Sequence, residues 1–149
     1  MSSVCILIFC SMVLNLEMGS VPKSRHSVCV EVVSESIKQG VDPVLSASVA
    51  WRESAFIRHA VSSAGAIGPM QVIPRFWCKK QPCDYIEAGV RALKHYTLRH
   101  GEGHGLCAYF SGKKCPKAHN VSHSYRDKVL KTYSKFGPYL SYSCDRDGC

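Results

Sequence analysis

The stretch from Val41 to Pro74, VDPVLSASVAWRESAFIRHAVSSAGAIGPMQVIP, decides how this chain is read. Asp42-Pro43 marks a helix start, because Asp supplies an N-cap oxygen and Pro fits the first turn, where its missing N–H costs nothing. Val44, Leu45, Ala47, Ser48 and Trp51 then recur at a spacing that points them inward. The helix ends in Trp51-Arg52-Glu53-Ser54-Ala55-Phe56. A loop of small residues follows, Ser62 to Gly68, and then Pro69-Met70-Gln71-Val72-Ile73-Pro74. Glu53 is the one Glu in this stretch. A lone Glu is ordinarily solvated, but Trp51, Ala55 and Phe56 surround this one with apolar bulk. Desolvation raises a carboxyl pKa and keeps a proton available near neutral pH, so Glu53 is the candidate general acid. The loop glycines permit a backbone that passes close to a ligand.

Working outward, Val28 to Gln39 predicts a helix with Val28, Val32, Val33 and Ile37 inward, stopped by Gly40, and Val21 to Ser27 reads as a linker. Asp84, with Glu87 three residues on, predicts a capped helix to about His100, with Ile86, Val90, Leu93 and Leu98 as core positions. Gly101, Gly103 and Gly105 interrupt it, and Leu106 to Phe110 predicts a short apolar helix. Ser124 with Asp127 predicts the cap of a last helix carrying Val129, Leu130 and Tyr133. Phe136 to Cys149 reads as irregular and turn-rich, held by Cys144 and Cys149. No alternating strand pattern is visible, so the expected fold is a mainly helical single domain.

The chain has 149 residues, 46% hydrophobic and 20% charged, which excludes global disorder and suits one domain with its own core. Lys and Arg number 19 against 11 Asp and Glu, a formal charge of +8. Such a surface attracts nucleic acid, anionic lipid or cell-wall polymer. The basic residues are scattered and no nucleic-acid motif accompanies them, so nucleic acid is not an expected partner. Nine Cys point to an oxidising compartment. No CxxC occurs, so a zinc site is not expected and no cofactor is implied. Local bridges Cys78–Cys83 and Cys107–Cys115 are expected instead, although spacing alone does not fix connectivity. Val4 to Leu16, VCILIFCSMVLNL, has the length of a signal-peptide core and is short for a membrane span, so residues 1–20 are expected to act in export. Cys5 and Cys10 would then leave with it. The alternative is a buried N-terminal helix or strand.

Glu53-Ser54, Ser62 and Gly65-Ala66-Ile67-Gly68-Pro69-Met70-Gln71-Val72-Ile73-Pro74 together resemble the signature of soluble lytic transglycosylases, which carry a lysozyme-like α+β domain related to goose-type lysozymes. Asp84 to Leu98 is similar to the family helix after that motif, with Ala88, Gly89, Val90 and Leu93 in its AG-hydrophobic-x-x-L segment. Ala108-Tyr109 resembles the start of the family's A-Y-N-x-G motif, and Tyr125 to Tyr133 its closing helix. The similarity spans roughly residues 27–136, so residues 28–136 are expected to form the catalytic domain, with a linker at 21–27 and an irregular tail at 137–149.

The resemblance implies a peptidoglycan-cleaving enzyme that breaks the β-1,4 bond between N-acetylmuramic acid and N-acetylglucosamine and leaves a 1,6-anhydromuramyl product. Glu53 would be the sole acid/base, Ser62 would place its hydroxyl near the carboxyl and the sugar, Gln71 would bind the substrate from the groove floor, and Tyr109 would orient the carboxylate. The chain departs from the family at Phe110, where Asn is usual, at Pro69 for Leu and at Ile73 for Met. Two other readings stand beside this one, a lysozyme-type hydrolase and a non-catalytic basic wall-binding module. The partner implied is the glycan strand, met by a monomer outside the cytoplasm: in the periplasm, outside the cell or on a virion, in the service of a secretion, conjugation or phage assembly.

Overall fold

The computed structural model describes residues 1–146. Seven helices follow one another: α1 (Ser3–Met18), α2 (Lys23–Gln39), α3 (Pro43–Ser54), α4 (Pro74–Trp77), α5 (Tyr85–His100), α6 (Glu102–Ser111) and α7 (Val121–Arg146). Between α3 and α4 the chain makes two isolated antiparallel bridges, Val61 with Ile67 and Ile67 with Val72. These are the only strand-like pairings among the described residues. The expected mainly helical single domain is what forms.

The middle of the chain starts and stops its helices as its sequence dictates. Asp42 Oδ1 accepts from the Val44 and Leu45 N–H groups at 2.8 and 3.3 Å and caps α3. Asp84 Oδ1 accepts from Ile86 and Glu87 N–H, both at 3.0 Å, and caps α5. Both caps satisfy donors that the first turn of a helix leaves unpaired. The α3 helix is buried along its whole length from Val44 to Ala50 and forms the centre of the core. Around it pack α2 and α7, with α5 and α6 packed on each other. Close approach of these elements requires glycine at two places. A Cβ on Gly89 would lie 2.6 Å from the Met70 Cβ, and one on Gly105 would lie 2.7 Å from the Thr97 Cα. The first brings the motif loop onto α5; the second lets α6 lie against α5.

Three expectations need correction, and the N-terminal stretch takes the second of its two readings, a buried helix. The apolar stretch read as a signal-peptide core is α1, with Cys5, Ile6, Phe9, Cys10, Val13 and Leu14 buried against the rest of the domain. Its cysteines are joined to the body of the protein, Cys5 to Cys144 and Cys10 to Cys29. Export signals and core helices share an apolar composition, which is why the sequence leaves both readings open. The segment 21–27 is not a linker, since α2 begins at Lys23. The break after His100 falls at Gly101 as expected, but the next helix starts at Glu102 rather than Leu106, with Gly103 and Gly105 inside α6. Finally, residues 137–146 are not irregular, because α7 runs on through Pro138 to Arg146. Proline removes one helical hydrogen bond. The loss is offset where Phe136 and Ser143 are fully buried and Cys144 is tied to α1. Two predicted core positions also face water, Ile37 and, at 77% exposure, Leu98.

The bridges Cys78–Cys83 and Cys107–Cys115 form as expected. All eight described cysteines are therefore paired. Cys149 lies outside the described residues.

Candidate active site

Glu53 occupies the last turn of α3. The two residues after Ser54, Ala55 and Phe56, both take the left-handed backbone, with φ of 52° and 60°. That conformation is costly for residues with a Cβ and collects at functional sites. It turns the chain sharply, buries Phe56 and sets its ring 5.8 Å from Trp51. Ser54 Oγ donates to the Pro69 carbonyl at 2.7 Å and ties the end of α3 to the motif loop. The Glu53 carboxyl is largely buried, and this burial pushes its pKa from 4.5 up to about 7.

The opposing influence is a phenol. Tyr125, in the second turn of α7, donates from Oη to Glu53 Oε1 at 2.6 Å and lowers the pKa that burial raises. Tyr109 was the residue expected to make this bond. Its hydroxyl donates instead to the Met70 carbonyl at 2.6 Å. Tyr109 is nevertheless near the acid, since the Glu53 charge, after burial, raises its phenol pKa. Burial, the Glu53 charge and Tyr109 likewise hold the Tyr125 phenol neutral.

Ser62 and Gln71 shape the loop. Ser62 Oγ accepts from Ala66 N–H at 3.1 Å, while the Ser62 N–H donates to the Ala66 carbonyl at 2.9 Å. The Ser62 hydroxyl therefore closes a turn. Gln71, at φ 53°, donates from Nε2 to the carbonyls of Ala60 (3.1 Å) and Gly68 (3.0 Å). Those bonds hold the two sides of the loop together, and Gln71 lines the neighbouring cleft.

That cleft, about 220 Å³, is walled by Gln71, Phe76, Trp77, Tyr96, Tyr109 and Phe110. Its aromatics are locked edge to face: Trp77 lies 5.7 Å from Tyr96, and Tyr96 lies 6.4 Å from Tyr109. A second cleft of about 390 Å³ opens on the other side of Phe110, with Tyr125 and Arg52 in its wall. Phe110 lines both and stacks on Tyr125, with ring centroids 4.9 Å apart and planes 24° from parallel. The two phenols beside Glu53 thus open onto two adjoining clefts.

Five other carboxylates are committed elsewhere. Asp42 and Asp84 cap helices, Glu87 pairs with Arg91, Glu31 with Arg58 and Asp127 with Arg126. Among the described residues, no three His, Cys, Asp or Glu side chains converge as metal ligands would. The arrangement can therefore donate and recover one proton at one buried carboxyl, beside a groove of aromatic faces suited to sugar rings.

Sequence reasoning missed Tyr125 as a site residue, although it lies in the segment recognised as the closing helix. It also missed Phe76, Trp77 and Tyr96 as cleft walls. Their signal was present, as a cluster of aromatics around the motif loop and along one face of the α5 segment.

The transglycosylase SLT domain family matches residues 32–130 of the chain. No curated protein and no solved structure matched it.

Proposed function

Because the chain belongs to the transglycosylase SLT domain family, a lysozyme-like family that acts on peptidoglycan, we propose that Glu53 is its sole acid/base and that it cleaves glycan strands without consuming water. The observation that carries this reading is the Glu53 carboxyl, pushed to about 7 by burial and held by Tyr125. An acid with that pKa is protonated in a useful fraction at neutral pH and can also return as a base.

The reaction balances on one carboxyl. Glu53 gives its proton to the oxygen that links muramic acid to the next sugar, and the C1–O bond breaks. Positive charge develops at C1 and the ring oxygen, as in other glycoside cleavages. The sugar's own 2-acetamido oxygen supports C1 in place of a second carboxylate. The ionised Glu53 then takes the proton of the C6 hydroxyl as its oxygen bonds to C1. The product is a 1,6-anhydro end, and the acid is regenerated. Asp42, Asp84, Glu31, Glu87 and Asp127 are fixed in caps and ion pairs, so none of them serves as a second catalytic group.

Tyr125 orients the carboxyl and steadies its ionised form. Gln71 and the aromatic walls position the sugars. Four disulfides suit an oxidising compartment, which supports an exported protein. The test is digestion of purified sacculi with mass spectrometry of the released muropeptides. The reading expects anhydro ends; only reducing ends would make the chemistry hydrolysis.

A further inference from the structure

The second cleft has a charge pattern that the acid/base chemistry does not use. Its wall brings together Arg52 of α3 and Lys128 of α7, with the hydroxyls of Ser124 and Tyr125 and the ring of Phe110. Neither cation has a carboxylate partner among the described residues. Arg52 spends only its Nε, which donates to Thr132 Oγ1 at 2.7 Å. Asp127, beside Lys128 in sequence, is held by Arg126 at 2.8 Å and lies 3.8 Å from His119. Two like charges in one concavity repel each other, and an anion between them relieves that. Phe110 is the partition between this cleft and the aromatic groove. A group that enters the second cleft therefore lies beside whatever occupies the first.

We propose that the second cleft is a subsite for a carboxylate on the peptide stem of the glycan, so that the enzyme reads the stem as well as the sugars. This rests on the peptidoglycan reading above. The stems are the anionic arms of the polymer, and they branch from the muramyl sugars at the bond being cut. Arg52 and Lys128 receive the carboxylate, Ser124 adds a hydroxyl, and Phe110 supplies an apolar ledge over which the arm passes.

The test compares intact strands with strands from which an amidase has removed the stems. The proteins are wild type, Lys128→Gln, Lys128→Glu and, as a control for net charge, Lys131→Gln on the exposed side of α7. Lys128 is solvent-exposed, and its one side-chain-mediated bond, from Thr132 Oγ1, is to its backbone carbonyl, which substitution keeps, so its variants should fold normally. Lys128→Gln is expected to raise KM on intact strands about two- to fivefold, the range for one exposed charge contact. Lys128→Glu is expected to raise it further. Both should leave kcat and the KM on stripped strands unchanged, and Lys131→Gln should match wild type. Equal effects on both substrates, equal effects of the Lys128 and Lys131 variants, or no effect at all would overturn the subsite while leaving the enzyme assignment standing. Failure of the wild type to cleave either strand would overturn the assignment and the subsite together.

Discussion

Tyr125 Oη lies 2.6 Å from Glu53 Oε1, joining α7 to the end of α3 across 72 residues of sequence. Burial and this single bond pull the carboxyl in opposite directions, with burial the larger. The Tyr125→Phe variant removes only the bond. Glu53 then loses the group that favours its ionised form, so its pKa rises above about 7 and the alkaline limb of the rate profile moves to higher pH. The carboxyl also loses its orientation, and we expect kcat to fall about three- to tenfold. A pH–rate profile measured on soluble glycan fragments checks both effects. An unshifted limb would show that the bond does not tune the acid.

The raised pKa has a consequence for stability. Below about 4.5 Glu53 is protonated in both folded and unfolded chains, and it costs nothing. Between 4.5 and about 7 the unfolded chain gives up its proton while the folded chain keeps it, so stability falls as pH rises. Above that window the full cost remains, at most on the order of 3 kcal/mol. Glu53→Gln does not titrate. Its melting temperature relative to wild type should therefore climb between pH 4.5 and 7 and level off above. Thermal melts at several pH values test this, and a constant difference would contradict the burial of the carboxyl.

The Phe110 ring covers Tyr125. Phe110 is 48% exposed, so shortening it should leave the fold intact. A stacked aromatic pair contributes about 1 kcal/mol beyond its buried area. We expect Phe110→Ala to loosen Tyr125 and lower kcat several-fold. The same change should have little effect once Tyr125 is already Phe and no bond to Glu53 remains to be positioned. The double-mutant cycle over these two sites, read in kcat, is the check. Additive losses would mean that Phe110 acts on the substrate alone.

The parts of this structure that were legible in the sequence are those set by local chemistry. Asp42 and Asp84 announce their helices because a cap is a contact between near neighbours. Cys78–Cys83 and Cys107–Cys115 close short loops. Glu53 stood out because its neighbours in sequence are also its neighbours in space. What escaped depends on long-range packing. The α1 helix and the end of α7 support each other through Cys5 and Cys144, 139 residues apart. Neither segment predicts the other, so the first stayed open between an export signal and a buried helix and the second read as a tail. Tyr109 and Tyr125 each offer a phenol to the same acid. Which of them bonds it depends on how α6 and α7 are placed, and no spacing along the chain encodes that.

The disulfide network gives a prediction of its own. With eight cysteines paired, the denatured but unreduced protein should show at most one reactive thiol. Replacing Cys10 and Cys29 together by Ser opens a loop of 19 residues and should cost about 3 kcal/mol, read from denaturant melts. Several free thiols would refute the pairing.

The most direct measurement is the cleavage of purified sacculi by wild type and Glu53→Gln, with muropeptide ends scored by mass spectrometry. Gln keeps the shape of Glu and its capacity to accept from Tyr125, but it can neither give the proton nor take it back. Loss of an acid/base typically costs on the order of 10²–10⁴ in rate, and here one residue serves both steps. The account predicts 1,6-anhydro ends from wild type and a fall to the upper end of that range in the variant, with binding to sacculi retained. A variant that keeps more than about a tenth of the wild-type rate, well short of that general acid loss, would contradict it, because Glu53 would then not be the acid.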